Sequence, residues 1–201
     1  MDIGTAMGAG WSSGISVYGV LAVLGLASRF DWVDAPSFVE QWWVIAAAVV
    51  LFCVEFVIDK IALLDTVWDG VHTFVRPAIG GLLMATATDT VWSTPALAAS
   101  GVLLALSSHS AKASTRLVVN SSPEPASNVV VSLAEDGLAA AVMAIAIARP
   151  ELAVAVVALL TVLSLAAAFV LYRVARRLGR NLRSATSRRR GQGDPPDPTP
   201  V

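Results

Sequence analysis

Six long apolar stretches follow one another along the chain, separated by short polar or proline-containing connections. Each is close to the roughly 20 residues that an α-helix needs to cross the hydrocarbon core of a bilayer. The predicted helices cover residues 6–28, 42–61, 66–88, 94–119, 128–148 and 152–172. The pattern therefore predicts an all-α membrane protein, a six-transmembrane-helix bundle.

Local signals set several of these boundaries. Thr66 and Asp69 have the spacing of a capping box, and Pro95 favours the first turn of a helix. Pro77 predicts a kink inside the third helix, and Asn128 or Ser127 can cap the fifth.

The predicted helices divide into halves of about 1–90 and 91–175, with three helices each. An odd number of spans per half means that related halves would be inverted repeats, as in many secondary transporters. A basic juxtamembrane segment, 176–190, follows. The last segment, 191–201, contains four prolines and two glycines and is predicted to be disordered.

The composition supports the membrane class and excludes several others. Of the residues, 56% are hydrophobic and 14% charged, and the mean hydropathy is +0.69. Cys53 is the only cysteine, so no intrachain disulfide can form, and no cleavable signal peptide is expected. The two histidines and one cysteine fit no structural zinc motif, and no phosphate-binding glycine loop is present. We expect neither an enzyme nor a cofactor.

Basic residues predict the orientation. With six spans and both termini inside, the cytoplasmic segments would carry twelve of the fourteen lysines and arginines, eight of them between Arg173 and Arg190. Only Arg29 and Arg149 would lie outside, which fits the positive-inside rule. We therefore expect a multi-pass protein of the cytoplasmic (inner) membrane with both termini cytoplasmic. The basic segment should bind anionic lipids rather than nucleic acid, and a homo-oligomer is left open.

Charged residues inside the predicted helices point to a functional site. Glu55 and Asp59 lie on one helical face, and ionisable groups at membrane depth are costly. One polar residue of each predicted helix lies about 20 Å from its outer end, given a rise of about 1.5 Å per residue. These residues are Ser16, Glu55, Arg76, His109, Glu135 and Ser164. They predict a polar layer within the bundle.

A second tier of polar residues is predicted closer to the cytoplasm. It comprises Asp59, Lys60, Asp69, His72, Lys112, Arg116 and Asp136. His109, Lys112 and Arg116 follow the spacing of one helical face, so this basic stripe can face the acidic stripe of Glu55 and Asp59. The alternative is that the helices leave the membrane early and that the second tier is ordinary loop charge.

Two segments carry a resemblance to a known family. One is residues 54–77, with Glu55, Asp59 and Arg76, and the other is 108–136, with Asn120-Ser-Ser-Pro-Glu-Pro at its centre. They resemble an uncharacterised bacterial membrane family, catalogued as domain of unknown function 4126, over about residues 5–170. The resemblance implies a membrane protein and supplies no activity. Glu55-x-x-x-Asp59-Lys60 is also similar to the Glu-x-Gly-Asp-Lys-Thr signature of small cation/proton exchangers, although the glycine and threonine are absent and the spacing is one residue longer.

These patterns predict a small secondary transporter or channel for a cation, a proton or a small solute. Carboxylates can bind a hard cation, and burial favours their protonated form. Glu55 and Glu135 are the predicted ion or proton sites, with Asp59 and Asp136 in support. The predicted counter-charges or solute-binding groups are Arg76, His109, Lys112 and Arg116. The alternative is a non-transporting scaffold or accessory subunit whose buried charges serve packing and partner choice.

Overall fold

The computed structural model is all-helical over the residues that it describes. These are 1–87, 93–119 and 125–191, with side chains described except at 62, 63, 125, 175 and 177–191. The helices are α1 (Ile3–Ser13), α2 (Val17–Arg29), α3 (Trp42–Ile58), α4 (Ala62–Ala85), α5 (Thr94–Val119), α6 (Pro125–Ala148) and α7 (Pro150–Gly191). The prediction of an all-α fold is confirmed. The predicted turn at 89–93, except residue 93, and the connection at 120–124 lie outside the described residues, as does the predicted disordered tail, 191–201, apart from Gly191 at the end of α7.

The single helix predicted over 6–28 is wrong, because the chain breaks between α1 and α2. Ser16 has extended backbone angles, with φ −143° and ψ 90°. Just before the break, the Ser13 hydroxyl donates to the carbonyl of Gly10 at 2.8 Å. Serine side chains that hydrogen-bond the local backbone compete with helical geometry, and Gly14 adds conformational freedom. Hydropathy alone does not register such a break.

The first helix begins at the end of the bundle where α6 ends. The Thr5 hydroxyl donates to the carbonyl of Ala146 at 2.9 Å, and Gly4 lies directly against the backbone of Pro150. Further along α1, the Ser12 hydroxyl lies 3.4 Å from the carbonyl of Ala139. The two helices are therefore antiparallel, and α1 runs from this end into the interior.

The second helix returns to the same end. At its start, the Ser16 hydroxyl donates to Glu55 near the end of α3. At its end, the Arg29 guanidinium lies over the ring of Trp42, the first residue of α3. The end of α3 lies beside the start of α6, because the Asn128 amide donates to the carbonyl of Asp59. Both outer ends of the α1–α2 pair thus lie at the end of the bundle that holds Trp42 and Ala148. We call this pair the hairpin, and Gly14-Ile15-Ser16 its tip.

Small residues let the hairpin pack closely inside the ring of the longer helices. Gly8 lies against Ala146 of α6, and Gly10 lies beside Gly80 of α4 and Gly101 of α5. Helix α1 contacts α4, α5, α6 and α7, and nearly all of its residues are buried. Glycine and other small residues are typical of close helix–helix contacts in membrane proteins, and here they serve a helix about half as long as the one predicted over 6–28.

Many large apolar side chains are exposed, while several charged side chains are buried beside the apolar core. In α3 the buried residues are Ile45, Ala48 and Glu55, whereas Val50 and Val57 are exposed. Phe74 is 80% exposed, while Arg76 in the same helix is fully buried. Among the described helices, Ala126–Ala148 and Pro150–Val174 are long and apolar enough to cross a membrane. These features support membrane association.

Of the other predicted helix boundaries, some agree with the structure and some do not. Helix α5 agrees with its prediction, and Pro77 lies inside α4. The predicted capping box is wrong, because α4 begins at Ala62 and Thr66 lies within the helix. Asn128 is likewise inside α6 rather than at its cap. Helix α7 continues through the basic segment to Gly191, since the arginines there favour helix.

The tip should not tolerate a side chain at Gly14. A Cβ added there would collide with the Ser108 hydroxyl and the backbone of Ala105, whereas at Gly137 it would meet nothing. We expect Gly14→Ala to destabilise the protein by about 1–3 kcal/mol, the usual cost of overpacking. Gly137→Ala, a matched change within α6, should be neutral or stabilising by up to about 1 kcal/mol. Thermal unfolding in detergent measures both, and equal stability of the two variants would contradict the close packing at the tip.

Candidate functional site

A buried arginine joins three helices at the depth of the hairpin tip. The Arg76 guanidinium of α4 donates from Nη2 to Glu55 Oε1 at 2.8 Å and from Nη1 to Asp69 Oδ1 at 2.7 Å. Nη1 also lies 2.9 Å from His109 Nδ1 of α5. The Ser16 hydroxyl of the tip donates to the second oxygen of Glu55 at 2.9 Å. All five side chains are buried. Four of the residues predicted to share one layer are therefore directly connected.

The hydrogen bonds of His109 define its tautomer. A guanidinium can only donate, so Nδ1 of His109 accepts from Arg76 and the proton of the neutral ring lies on Nε2. Nε2 then donates to the Thr73 hydroxyl at 3.0 Å, which in turn donates to the carbonyl of Asp69 at 2.9 Å. His109 thus links the buried arginine to Thr73, an exposed residue on α4.

A second buried cation joins the tip to the end of α3. Lys112 Nζ donates to Asp59 Oδ2 at 2.6 Å and to the carbonyl of Ile15 at 3.2 Å. Both side chains are about 1% exposed. The prediction that the basic stripe of α5 faces the acidic stripe of α3 is confirmed by this ion pair. Lys112 also satisfies a backbone carbonyl that the break in the helix leaves without an intrahelical donor.

A third buried cation, Arg116, lies one turn further along α5. Its Nη2 donates to Glu135 Oε2 at 2.7 Å, and Nη1 donates to Asn128 Oδ1 at 2.6 Å and to the carbonyl of Asp59 at 2.8 Å. Asp65 of α4 lies 3.8 Å away. Arg116 therefore holds α3, α4, α5 and α6 together at the end of the bundle opposite to Trp42.

The break gives the tip two helix ends of opposite polarity. The first residue of α2 follows Ser16, so the positive end of that helix lies beside the Glu55 carboxylate. The carbonyl groups near the end of α1 meet donors, since Ser108 donates to Trp11 and Lys112 to Ile15. Broken helices place such ends at the ion and substrate sites of membrane transporters.

The alternative that the second tier is ordinary loop charge is wrong for most of its members. Asp59, Asp69 and Arg116 are all buried, as is Asp65 of α4. Lys60 lies at the edge of this group of charges. Its ammonium donates to the backbone carbonyl of Phe56 and lies over the Phe56 ring. His72 bonds the Tyr18 hydroxyl and stacks on Trp68, beside the layer rather than within it.

Two predicted carboxylates stand apart from the Arg76 group. Glu135 binds Arg116, so it does not share a cation with Glu55. Asp136, the next residue, is half-buried and lines a separate apolar cavity with Ser16. Ser164 is buried in α7. The prediction that all six polar residues meet in one layer therefore holds for the residues of the tip, α3, α4 and α5.

Several residues of the site were missed or misread from the sequence. Asn128 is predicted only as a cap, Asp69 is predicted both in a capping box and in the second tier, and the predictions from the sequence include neither Thr73 nor Tyr18. A usable signal exists in α4, where Asp65, Asp69, His72 and Arg76 follow the four-three-four spacing of one helical face. The same spacing relates Asn128, Ser132 and Glu135 in α6, all turned inward or half-buried.

Two cavities approach the site from opposite directions. One, of about 200 Å³, runs along α2 from Ser16 to Leu26 between α2, α3 and α6. The other is a groove of about 180 Å³ between α4 and α5, lined by Thr66, Asp69 and Thr73 among others. In the described part of the chain, no group of three or more histidine, cysteine or acidic side chains is placed to hold a metal ion.

Comparison with protein families places the whole bundle in one of them. The model of a domain of unknown function (DUF4126) matches residues 3–171. The chain belongs to this family. The DUF4126 domain covers the hairpin and all the buried charges described above, and it ends before the basic part of α7. No curated protein and no solved structure matches the chain.

The ion pair between α5 and α3 should show strong coupling. Lys112→Met leaves the buried Asp59 carboxylate without its nearest cation, which typically costs about 3–5 kcal/mol. Adding Asp59→Asn removes that carboxylate's charge, so the double variant should be more stable than Lys112→Met alone. Lys60→Met is the matched control, because Lys60 lies beside the buried charges rather than among them. It should lower the free energy of unfolding by about 1 kcal/mol or less. Chemical unfolding in detergent measures the wild type, Asp59→Asn, Lys112→Met, the double variant and Lys60→Met. A loss in the double variant equal to the sum of the two single losses would show that the pair is not coupled.

Proposed function

We propose that the protein is a small secondary transporter or channel that moves a proton, a cation or a small solute across the cytoplasmic membrane. One observation carries the proposal. In the described residues, six inward-facing carboxylates meet only three buried cations, or four with Lys60 at the edge. The carboxylates are Glu55, Asp59, Asp65, Asp69, Glu135 and Asp136, and the buried cations are Arg76, Lys112 and Arg116. Excess negative charge in a low-dielectric interior must be compensated by protons or by a cation.

The arrangement of cavities supports movement through this layer. The apolar cavity reaches Ser16 and the groove between α4 and α5 reaches Asp69. Three hydrogen bonds connect these residues through Glu55 and Arg76. Arg76 cannot release a proton, so it would separate the two sides rather than conduct. In the proposed cycle, Glu55 releases Arg76 and binds a proton or a cation instead. This change of partner would open the site to one side of the membrane at a time.

The proposed membrane topology has five spanning helices, α3 to α7, and a re-entrant hairpin formed by α1 and α2. Non-helical backbone at membrane depth is tolerated only where it is buried in protein or lines a cavity, and the tip meets this condition. This topology replaces the six expected spans. It also removes the basis for two inverted repeats of three helices, because the first predicted helix does not cross.

The charges at the two ends give the proposed orientation. Lys60 and the eight arginines of α7 lie toward one end, and Arg29 and Arg149 toward the other. The positive-inside rule then puts the C-terminus in the cytoplasm. Because the hairpin begins and ends at the same end, the N-terminus would be on the outside, contrary to our expectation that both termini are cytoplasmic.

Accessibility of single cysteines tests this topology. In a Cys53→Ala background, Ile3→Cys and Ser37→Cys should react with a membrane-impermeant maleimide in intact cells, because both exposed positions lie at the outer end. Arg176→Cys, exposed on α7, should react only after the cells are opened. Labelling of Ile3→Cys on the same side as Arg176→Cys would restore the six-span arrangement.

A second candidate function is a scaffold or accessory subunit. It is favoured by the short ion pairs, since Glu55, Asp59 and Glu135 each lie within 2.8 Å of a buried cation. Such a network can hold helices in register without any transport, as buried polar groups do in some other proteins. The two candidates differ in whether the carboxylates must change their partners.

The transport proposal makes Glu55 essential for coupling. Glu55→Gln keeps the size of the side chain and its bond to Ser16 but removes the titratable group, while Arg76 retains Asp69. In proteoliposomes that show a flux driven by a pH or cation gradient, we expect Glu55→Gln to lower the coupled flux at least about tenfold, and Glu135→Gln to do the same if both carboxylates belong to one path.

The control is Glu151→Gln, which removes an exposed carboxylate at the outer end of α7. It should leave the flux and its pH dependence unchanged. Thermal unfolding of each variant checks that the fold is intact. Wild-type flux in both Glu55→Gln and Glu135→Gln would reduce the carboxylates to structural charges and favour the scaffold.

A further inference from the structure

The ring of long helices is open on one side, between α3 and α6. In the described part of the chain, α3 packs mainly against α2 and α4, and α6 packs mainly against α1 and α7, so these two helices do not close on each other. Helix α2 lies behind the opening. Its side chains Val23 and Leu26 are exposed, although the hairpin to which they belong lies inside the ring. We call this opening the lateral window.

The lateral window leads into the cavity of about 200 Å³ that runs along α2, with walls formed by side chains such as Phe52 of α3 and Ala140 of α6. Two polar residues also line this cavity, but neither offers it a free polar group. The Ser16 hydroxyl donates to Glu55, and the Oδ2 atom of Asp136 is buried. An internal water molecule needs about two to four polar partners, so the cavity does not suit water.

The surface around the lateral window is apolar as well. Val49 lies one turn before Phe52 on α3, Ala144 lies one turn after Ala140 on α6, and both are exposed. Helix α6 is one of the described helices that are long and apolar enough to cross a membrane. Under the proposed topology the window therefore opens to the hydrocarbon of the bilayer, and its apolar surface is continuous with the lipid-facing surface of the bundle.

We propose that this cavity binds the end of an acyl chain of a bilayer phospholipid, which enters sideways through the lateral window. An engineered apolar cavity of about 150 Å³ stays dry and binds benzene or xenon, so a cavity of about 200 Å³ with apolar walls suits a short hydrocarbon segment. The bound chain supplies packing contacts that the walls of an empty cavity lack. The proposal rests on the membrane topology proposed above and does not require transport.

A photoreactive lipid tests the proposal. Full-length protein is placed in nanodiscs that contain phosphatidylcholine with a diazirine at the end of one acyl chain, and peptide mass spectrometry after irradiation locates the adducts. We expect adducts on residues 19–26 of α2, and on exposed residues of α7 such as Val162 and Leu163, which serve as the internal reference. Labelling of α7 without labelling of α2 would overturn the proposal, whether the cavity is empty or a second copy covers the window. Absence of adducts from both helices would overturn the membrane topology, and the proposal with it.

Three variants locate the bound chain. Ala140→Leu, which adds bulk to the cavity wall, should lower the ratio of α2 adducts to α7 adducts at least about tenfold. Ala140→Val adds less bulk and should lower the ratio about threefold, and it keeps the test decisive if the leucine variant does not fold. Ala141→Leu, a change at the next, exposed residue, which does not line the cavity, should leave the ratio unchanged.

Thermal unfolding checks that each variant is folded. A wild-type ratio in the folded Ala140 variants would place the chain on the outer surface of the bundle rather than in the cavity and would refute the assignment. An equal loss of α2 adducts in Ala141→Leu would refute it as well.

Discussion

The burial of the Arg76 guanidinium constrains the rest of the structure. This side chain is fully buried and cannot be deprotonated, so its charge and its donors must be met inside the bundle. Glu55 of α3, Asp69 of α4 and His109 of α5 meet them, and Glu55 in turn requires the Ser16 hydroxyl. A shift of any of these helices by one turn would separate a charge from its partner. One cation therefore fixes the register of three helices and the depth of the hairpin tip.

The broken first helix follows from the same constraint. A continuous helix through 14–16 would use the backbone groups of Ile15 within its own hydrogen-bond ladder. With the chain reversed at this point, the carbonyl of Ile15 is free to accept from Lys112, and α2 begins beside Glu55. The hairpin thus supplies one acceptor for a buried cation and one positive helix end for a buried carboxylate. The electrostatics of the tip and of the layer are complementary.

The sequence could predict a helix whose start has a clear local signal, and α5 is the clearest case, because it begins at Thr94-Pro95 as expected. It could also predict that Lys112 faces Asp59, because helical spacing fixes which side chains share a face. It could not predict the reversal at Gly14, since hydropathy depends on composition and is blind to chain direction. The capping roles predicted for Asp69 and Asn128 are wrong because a residue suited to a helix cap can equally accept a hydrogen bond from a buried arginine. Where a local sequence pattern and a tertiary contact favour different arrangements, the tertiary contact decides.

The excess of carboxylates and the position of the hairpin bear on each other. If the buried charges served packing alone, equal numbers of acids and bases would suffice, and unpaired oxygens such as Asp136 Oδ2 would add cost without benefit. Asp136 lines the apolar cavity together with Ser16 of the tip, and Asp69 lines the groove between α4 and α5. The tip is joined to the buried charges by two hydrogen bonds, from the Ser16 hydroxyl to Glu55 and from Lys112 to the carbonyl of Ile15. Under the proposed function, the tip is the part of the bundle that a proton or cation arriving at Glu55 would release first.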